Sequence, residues 1–174
     1  MHVYTSGDEA ELFLNGRSLG RKQKGTYEYR LRWDNVKYEP GELKVVAYKN
    51  GKHWAEDVMK TTGPASRLLM KADHPTIKAD GQDLSFITVT VADKDNWLVP
   101  RSKNRVLFEI SGGEIVAVDN GDATDHESFQ AKDRKAYNGL VLVIVRAKPG
   151  QPGQIKLAAR SDGLAGAQIL IRAR

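Results

Sequence analysis

The stretch Asp8-Glu-Ala-Glu-Leu-Phe-Leu-Asn-Gly-Arg-Ser-Leu-Gly20 predicts a β-hairpin. Ala10, Leu12 and Leu14 alternate with the side chains between them, as they do in a strand that buries one face. Asn15-Gly16 supplies two residues that tolerate positive φ, which a two-residue type I′ turn requires. On these residues alone, the stretch is one hairpin of a β domain.

Three further strand patterns follow this hairpin. The run from Tyr27 to Trp33 alternates, which predicts a strand with four side chains on one face, namely Tyr27, Tyr29, Leu31 and Trp33. A Pro-Gly turn then leads into a strand that ends at Tyr48, and Asn50-Gly51 is a second type I′ turn before the strand His53–Met59. This order is typical of an immunoglobulin-like sandwich, although a complete sandwich has about seven strands. The first domain is therefore expected to be compact or clipped at its N-terminus.

A domain boundary is predicted at Thr61-Thr-Gly-Pro-Ala65, where a Gly-Pro breaker separates two strand-like runs. We predict a first domain over residues 1–63 and a second over residues 64–174. The second shows about eight strands at sandwich spacing and no helical periodicity. Seven of its strand patterns are clear, namely Ser66–Ala72, Leu84–Ala92, Arg105–Ile110, Glu114–Val118, Leu140–Arg146, Gln154–Ala159 and Ala167–Ile171. The predicted fold class is all-β, with two tandem immunoglobulin-like β-sandwich domains.

Composition argues against several classes of protein. The formal net charge of +5 at pH 7 is spread along the chain with both signs interspersed, whereas nucleic-acid-binding domains concentrate positive charge on one face. No apolar run is long enough to cross a bilayer, and no segment shows the pattern of a signal peptide. Because the chain has no cysteine, it has no disulfide, thiolate zinc site or cysteine nucleophile. We expect neither a nucleic-acid partner nor a membrane partner.

The segment Asp119–Gly139, which we name the interaction loop, has no strand pattern although it lies between two clear strands. It is longer than most connections in a sandwich, and long loops are often functional. It is also rich in charged and amide side chains. The candidate interaction residues are Asp119, Asn120, Asp122, Asp125, His126, Glu127, Arg134 and Asn138.

Three interpretations of the interaction loop compete. A calcium site would use four oxygen ligands, namely Asp119, Asn120, Asp122 and Asp125, but their spacing does not match an EF-hand. A catalytic pair of carboxylates would have to face one substrate cleft, which no pattern in the chain predicts. In the interpretation we favour, Asp and Asn side chains cap turns, and Arg134 pairs with Asp122, Asp125 or Glu127. We therefore predict no metal site and no cofactor.

The three tryptophans differ in their predicted surroundings. Trp33 and Trp54 lie in alternating strands, which favours positions in a core or a domain interface. Trp97 lies in a polar turn and is the better candidate for an exposed contact, for example with a sugar ring. The histidines show no metal-ligand spacing, and no Gly-rich phosphate loop is present.

Two parts of the chain resemble a known family. Tyr4–Gly20 resembles a signature that follows the catalytic barrel in many bacterial β-galactosidases of glycoside hydrolase family 2. A second signature, from the most C-terminal immunoglobulin-like domain of those enzymes, is similar to Asp119-Asn-Gly-Asp122, His126-Glu127 and Arg134-Lys-Ala-Tyr-Asn-Gly139. The two signatures occur in the family's order and together cover nearly the whole chain.

The resemblance implies a piece of a β-galactosidase-like enzyme without its active site. Family 2 enzymes carry their acid/base and nucleophile glutamates on a (β/α)₈ barrel, and this chain has no alternating βα pattern. No catalytic residue is therefore predicted. Ala123 and Asp125 stand where the family often has proline and serine, which leaves the fold prediction unchanged. The resemblance also favours a periplasmic or secreted location.

The predicted function is that of a non-catalytic C-terminal accessory region, which supports the catalytic domain or its assembly in carbohydrate degradation. The expected partners are the catalytic and other domains of the parent glycosidase, with glycans and an oligomer contact as further options. A stand-alone carbohydrate-binding module and an adhesin-type spacer stay open as alternatives. The spacer alternative rests on Ala79–Asn96, whose pattern also resembles the immunoglobulin-like repeats of bacterial adhesins.

Overall fold

A computed structural model describes the whole chain, Met1–Arg174, as a set of β-strands without a helix. The chain divides into two compact units, which we name unit 1 (Met1–Thr61) and unit 2 (Thr62–Arg174). The structure has no helix that could span a membrane. The predicted all-β fold class, with two sandwich domains, is confirmed.

Unit 1 has a small core between two antiparallel sheets. Its strands are β1 (His2–Tyr4), β2 (Glu9–Leu14), β3 (Arg17–Gln23), β4 (Arg30–Arg32), β5 (Glu42–Lys49) and β6 (Lys52–Lys60). The larger sheet has the order β3-β2-β5-β6, and β1 pairs with β4 in a separate two-stranded sheet. The buried side chains of this core come from both sheets and from the residue after β4: Val3, Ala10, Leu12, Leu31, Trp33 and Ala47.

The hairpin of β2 and β3 forms as predicted. Ala10, Leu12 and Leu14 are buried, while the side chains between them are only partly covered. Asn15 and Gly16 have φ values of 50° and 78°, as a type I′ turn requires. Alternation and turn chemistry therefore predicted this hairpin correctly.

Asn15 has a second role that the turn pattern does not reveal. Its side-chain Oδ1 accepts a hydrogen bond from the backbone N–H of Glu42 at 2.8 Å. Its Nδ2 donates to the carbonyl of Pro40 at 3.1 Å. This asparagine therefore joins the hairpin to the start of β5.

The strand predicted from Tyr27 to Trp33 is much shorter in the structure, because β4 covers only three of its residues. Leu31 and Trp33 are buried, but Tyr27 and Tyr29 are 97% and 69% exposed, so the prediction that all four share one strand face was wrong. The partner strand β1 has only three residues, which leaves the residues before β4 without a strand to pair with. Residues 25–28 form a turn instead.

The structure also separates two tryptophans that the sequence pattern treats alike. Trp33 is buried in the core of unit 1, as predicted. Trp54 is 52% exposed, so of the two predicted positions, a core or a domain interface, the core is wrong. It lies on β6, which is an edge strand, and its indole Nε1–H donates to the hydroxyl of Ser6 at 3.0 Å. The Lys49 ammonium lies 4.8 Å from the ring centre.

Unit 2 is a two-sheet sandwich. Its strands are β7 (Arg67–Ala72), β8 (Thr76–Ile77), β9 (Leu84–Ala92), β10 (Arg105–Ser111), β11 (Glu114–Asp119), β12 (Asp133–Lys135), β13 (Leu140–Arg146), β14 (Gly153–Arg160) and β15 (Ala167–Ala173). One sheet has the order β12-β10-β14-β15-β8, and the other has the order β11-β13-β9-β7. All pairs are antiparallel except β15 with β8.

The core of unit 2 comes from the strict alternation of β9 and β13. Ile87 lies opposite Val143 and Val89 lies opposite Val141, and all four are almost completely buried. Side chains from the second sheet close the core from the other side, including Val106, Phe108, Ile155, Leu157 and Ile171. Burial of this apolar surface, at about 25 cal/mol per Å², is the main term that favours folding.

Two strands of unit 2 lie where the sequence predicted none. β8 pairs in parallel with β15 and has only two residues, which is too short for an alternating pattern to be seen. β12 has the sequence Asp133-Arg-Lys135, which is too polar and short to be distinguished from a loop. The prediction that the interaction loop contains no strand was therefore wrong for these three residues.

Candidate functional site

The interaction loop is held at the end of the unit 2 sandwich by β12. This strand pairs with the start of β10, with Val106 opposite Arg134 and Leu107 opposite Asp133. The last turn of the loop is Asn138-Gly139, whose φ values of 50° and 77° make a two-residue turn closed by a bridge between Tyr137 and Leu140. The segment is therefore anchored within unit 2 by backbone pairing at β12.

The loop folds around Arg134, whose side chain is only 1% exposed. Its Nη1 donates to the Asp125 carboxylate at 3.0 Å and to the Glu127 carbonyl at 3.1 Å. Its Nη2 donates to the carbonyls of Val118 and Ser128 at 3.1 and 2.6 Å. The buried guanidinium thus joins the end of β11 to the middle of the loop. The pairing with Asp125 is one of the three that the sequence left open.

Asp125 is the carboxylate on which this arrangement depends. It accepts hydrogen bonds from the Glu127 N–H at 2.8 Å, from Arg134 at 3.0 Å and from the Asn120 amide at 2.8 Å. These donors favour the charged form, so they lower the pKa of Asp125, with the Glu127 N–H as the largest cause. Asp125 is therefore an anion at neutral pH.

The acidic and amide side chains before Asp125 form turns of their own. The Asp119 carboxylate accepts from the N–H groups of Asn120 and Gly121, and the Asn120 carbonyl oxygen accepts from the Asp122 N–H. The Asp122 carboxylate accepts from both the N–H and the hydroxyl of Thr124. These are Asx turns, as the favoured interpretation predicts.

This geometry bears on the calcium interpretation. Each of the four side chains considered for calcium has an oxygen that already accepts a hydrogen bond inside the loop. A calcium ion needs six to eight oxygen ligands. The side-chain oxygens considered for calcium thus form the turns of the loop.

Arg105 is a partner of the loop that sequence reasoning missed. Its guanidinium forms a two-pronged ion pair with Glu127 at 3.1 and 3.0 Å, and its Nε also pairs with Asp133. The bonds to Glu127, and then those to Asp133, raise the pKa of Arg105. The only signal in the sequence is a basic residue at the start of a strand. The pairing of β10 with β12 is what brings it to the loop.

The remaining candidates are exposed. His126 and Asn138 point to solvent, together with Phe129, which is 55% exposed and lies 5.8 Å from the Arg134 guanidinium. The loop thus has an inner side, where charges are paired, and an outer side formed by His126, Phe129 and Asn138. The predicted site residues therefore divide between these two sides.

Trp97 lies outside the interaction loop, in the turn after β9, and is 39% exposed. The turn is fixed by Asp93, whose buried carboxylate accepts from the N–H groups of Gly63, Asp95 and Trp97 at 2.8, 3.0 and 2.9 Å. These bonds lower the pKa of Asp93, with the Gly63 N–H as the largest cause. Trp97 is therefore presented by an ordered turn.

The lowered pKa of Asp125 gives a pH prediction. Its contribution to stability is fully present above its unfolded pKa of about 3.9, and it is lost as the pH falls through the lower folded pKa. We expect the melting temperature of unit 2 to be nearly constant from about pH 7 to 5 and to fall below about pH 4. NMR signals of unit 2, followed during thermal unfolding of the whole chain, would measure this.

The matched variant for this prediction is Asp125→Asn. It should melt at a lower temperature than the wild-type protein at neutral pH, because Arg134 loses its anionic partner. The difference should narrow at low pH, where the wild-type carboxyl group is also neutral. A difference that stays the same across the whole range would show that the charge of Asp125 does not stabilise the loop.

The fold and the loop define the class of this protein as a tandem pair of immunoglobulin-like β-sandwich domains. Residues 68–170 match the glycoside hydrolase family 2 C-terminal domain 5, and residues 1–55 match a domain of unknown function, DUF4982. Because the first match covers more than half of the chain, the chain belongs to the glycoside hydrolase family 2 C-terminal domain 5 family. The resemblance found in the sequence is confirmed.

Related proteins agree with this assignment. A β-galactosidase of Bacteroides ovatus is 41% identical over 171 residues, which are 98% of this chain and 20% of the relative. A β-glucuronidase of Formosa agariphila is 31% identical over 117 residues, 66% of this chain and 12% of the relative. The solved structure of a glycosyl hydrolase family 2 member from Bacteroides cellulosilyticus superposes with a TM-score of 0.92 at 32% identity, over 99% of this chain and 22% of that chain. The chain spans about a fifth or less of these proteins.

Proposed function

We propose that this chain acts as a non-catalytic accessory region of a family 2 glycosidase and supports its catalytic part. The observation that carries the proposal is the paired inner side of the interaction loop, where Asp125 and Glu127 are held by Arg134 and Arg105. A glycosidase needs a carboxylic acid with a raised pKa, whereas the pKa of Asp125 is lowered. The loop is therefore suited to stability and contact rather than to hydrolysis.

The relatives support a role that does not depend on one substrate. Regions similar to this chain occur in proteins named β-galactosidase and β-glucuronidase. A segment shared by enzymes with different named activities is better suited to support than to substrate selection. The longer match to the β-galactosidase favours a β-galactoside as the substrate of a parent enzyme. The family match also favours the accessory role over the adhesin-type spacer.

A chimera tests the accessory role. The segment of the Bacteroides ovatus β-galactosidase that matches this chain is deleted in one variant and replaced by this chain in another. We expect the deletion to lower both melting temperature and activity, and the replacement to restore most of each. The chain alone should not hydrolyse nitrophenyl β-galactoside or nitrophenyl β-glucuronide. A deletion without effect, or turnover by the chain alone, would contradict the proposal.

The outer side of the interaction loop is the surface we assign to contact with the rest of such a parent chain. His126, Phe129 and Asn138 are exposed there, whereas the inner side chains are already paired. Phe129→Ala should therefore lower the melting temperature of the chimera more than that of the chain alone. Phe86→Ala, on the outer face of β9 and 39% exposed, is the matched control. If Phe129→Ala lowers the melting temperature of the chimera and of the chain alone by the same amount, Phe129 does not contact the rest of the parent chain.

Sugar binding is a second candidate function. The observation that favours it is the exposure of several tyrosines in unit 1, where Tyr4, Tyr27 and Tyr29 are all more than half exposed. Large exposed aromatic side chains that lie close together often mark a binding surface.

A further inference from the structure

A cleft of about 500 Å³ opens in unit 1 beside the end of β3 and the start of β4. The tyrosine side chains Tyr27 and Tyr29 line it, together with charged residues, among which are Lys22, Glu28, Arg30, Arg32 and Asp34. The cleft belongs to unit 1, whereas the interaction loop belongs to unit 2. We name it the tyrosine cleft.

The tyrosines of this cleft are exposed but ordered by their surroundings. Tyr27 is 97% exposed and Tyr29 is 69% exposed, and the Tyr29 ring stacks on that of Tyr4 with 6.4 Å between ring centres. The turn that carries them is closed twice, since Gly25 N–H donates to the Glu28 carboxylate at 2.9 Å and Glu28 N–H donates to the Gly25 carbonyl at 3.0 Å. A ligand would therefore meet aromatic faces on a turn that is already formed, which limits the entropy lost on binding.

Two cations of the cleft, Lys22 and Arg30, have no anionic partner, and the Lys22 ammonium donates instead to the carbonyl of Arg32 at 2.6 Å. Arg32 pairs with Asp34 at 2.7 Å, and the Glu28 carboxylate is bonded to the turn. Arg30 takes part in none of the ion pairs of the structure. Its guanidinium lies 5.7 Å from the centre of the Tyr29 ring, and a hydrogen bond with the Tyr4 side chain raises its pKa. A guanidinium beside exposed aromatic rings can bind a carboxylate with two parallel hydrogen bonds.

We propose that the tyrosine cleft binds an oligosaccharide that carries a uronate, with its rings on Tyr27 and Tyr29 and its carboxylate on Arg30. Sugar rings present a C–H face to an aromatic ring, and the tyrosine hydroxyls can bond the hydroxyls of the sugar. The excess of cations over anions in the cleft favours an anionic ligand over a neutral one. This inference assigns a site to the second candidate function, and it can hold even if the accessory role fails, because it concerns unit 1 alone.

The test compares two probes that share a ring configuration and a linkage. β-1,4-linked trimannuronate carries carboxylates, whereas β-1,4-linked mannotriose carries hydroxymethyl groups in their place. NMR titration of the whole chain should show trimannuronate binding with a Kd of about 1 mM, about tenfold tighter than mannotriose, with shifts confined to the cleft. The trimannuronate affinity should fall as salt is added, because salt screens the attraction to Arg30.

Three variants separate stacking from charge recognition. Tyr27→Ala should weaken both probes by about fivefold or more, whereas Arg30→Gln should remove most of the preference for trimannuronate. Tyr38→Ala, which is exposed but outside the cleft, should change neither affinity. The proposal fails if neither probe binds, if the two bind equally, or if the shifts lie outside the cleft. It also fails if Tyr27→Ala and Tyr38→Ala have the same effect.

Discussion

Replacing Arg134 by methionine is expected to destabilise unit 2 by roughly 3–5 kcal/mol, the range found when one partner of a buried ion pair is removed. Methionine fills a similar volume, but it leaves the Asp125 carboxylate without its cation and the carbonyls of Val118, Glu127 and Ser128 without their donor. Hydrogen exchange of amides in β9 and β13, which report global opening of unit 2, would measure the loss in the free energy of unfolding.

Two further variants make the Arg134 result specific. Arg160→Met removes an exposed ion pair with Glu109 in the same unit, and we expect a loss of no more than about 1 kcal/mol. Arg134→Lys keeps the charge but lacks the planar fork that reaches several acceptors, so it should recover only part of the stability. Similar losses for Arg134→Met and Arg160→Met would mean that burial of the Arg134 charge does not determine the stability of the loop.

Replacing Trp33 by alanine is the second large effect, with an expected loss of roughly 3–5 kcal/mol from unit 1. The side chain is 4% exposed and fills part of a small core. Its indole Nε1–H also donates to the carbonyl of Gly20 at 3.2 Å, which would lose that donor. Because small domains have little stability in reserve, we expect most of unit 1 to unfold. Circular dichroism and the NMR signals of unit 1 would detect this unfolding.

Trp54→Ala is the matched control for Trp33→Ala. The same residue type is removed from the same unit, but Trp54 is 52% exposed on an edge strand and donates only to Ser6. We expect a loss of about 1 kcal/mol or less, since surface substitutions are usually mild. Equal destabilisation by the two variants would show that burial does not determine how much each tryptophan contributes to the stability of unit 1.

The two tryptophans show which feature of the fold the alternating pattern does not predict, namely whether a side chain is covered. Alternation predicted β2 and β9 correctly, because the buried face of a paired strand repeats every second residue. The same alternation put Tyr27 and Tyr29 on one strand face with Leu31 and Trp33, and it favoured a core or a domain interface for Trp54, but all three side chains are exposed. A pattern of side chains does not say whether a partner strand or an opposite sheet is present to cover them.

The interaction loop shows a similar division. Its Asp and Asn content predicted turns, since these side chains bond to backbone N–H groups close in sequence, and the Asx turns at Asp119 and Asp122 are present. Three partners for Arg134 were possible from the sequence, and folding selected Asp125. Arg105 was missed because it is 22 residues from Glu127 along the chain. Only the pairing of β10 with β12 brings them together.

The sequence by itself determined the all-β class, the two Asn-Gly hairpin turns of unit 1 and the family to which the chain belongs, because these depend on local conformation and on motifs. Tertiary structure alone decided which side chains are buried, which carboxylate holds Arg134, and that Tyr27 and Tyr29 line an open cleft. The physical reason is that burial and ion pairing require groups far apart in sequence to meet, and strand pairing sets which of them do.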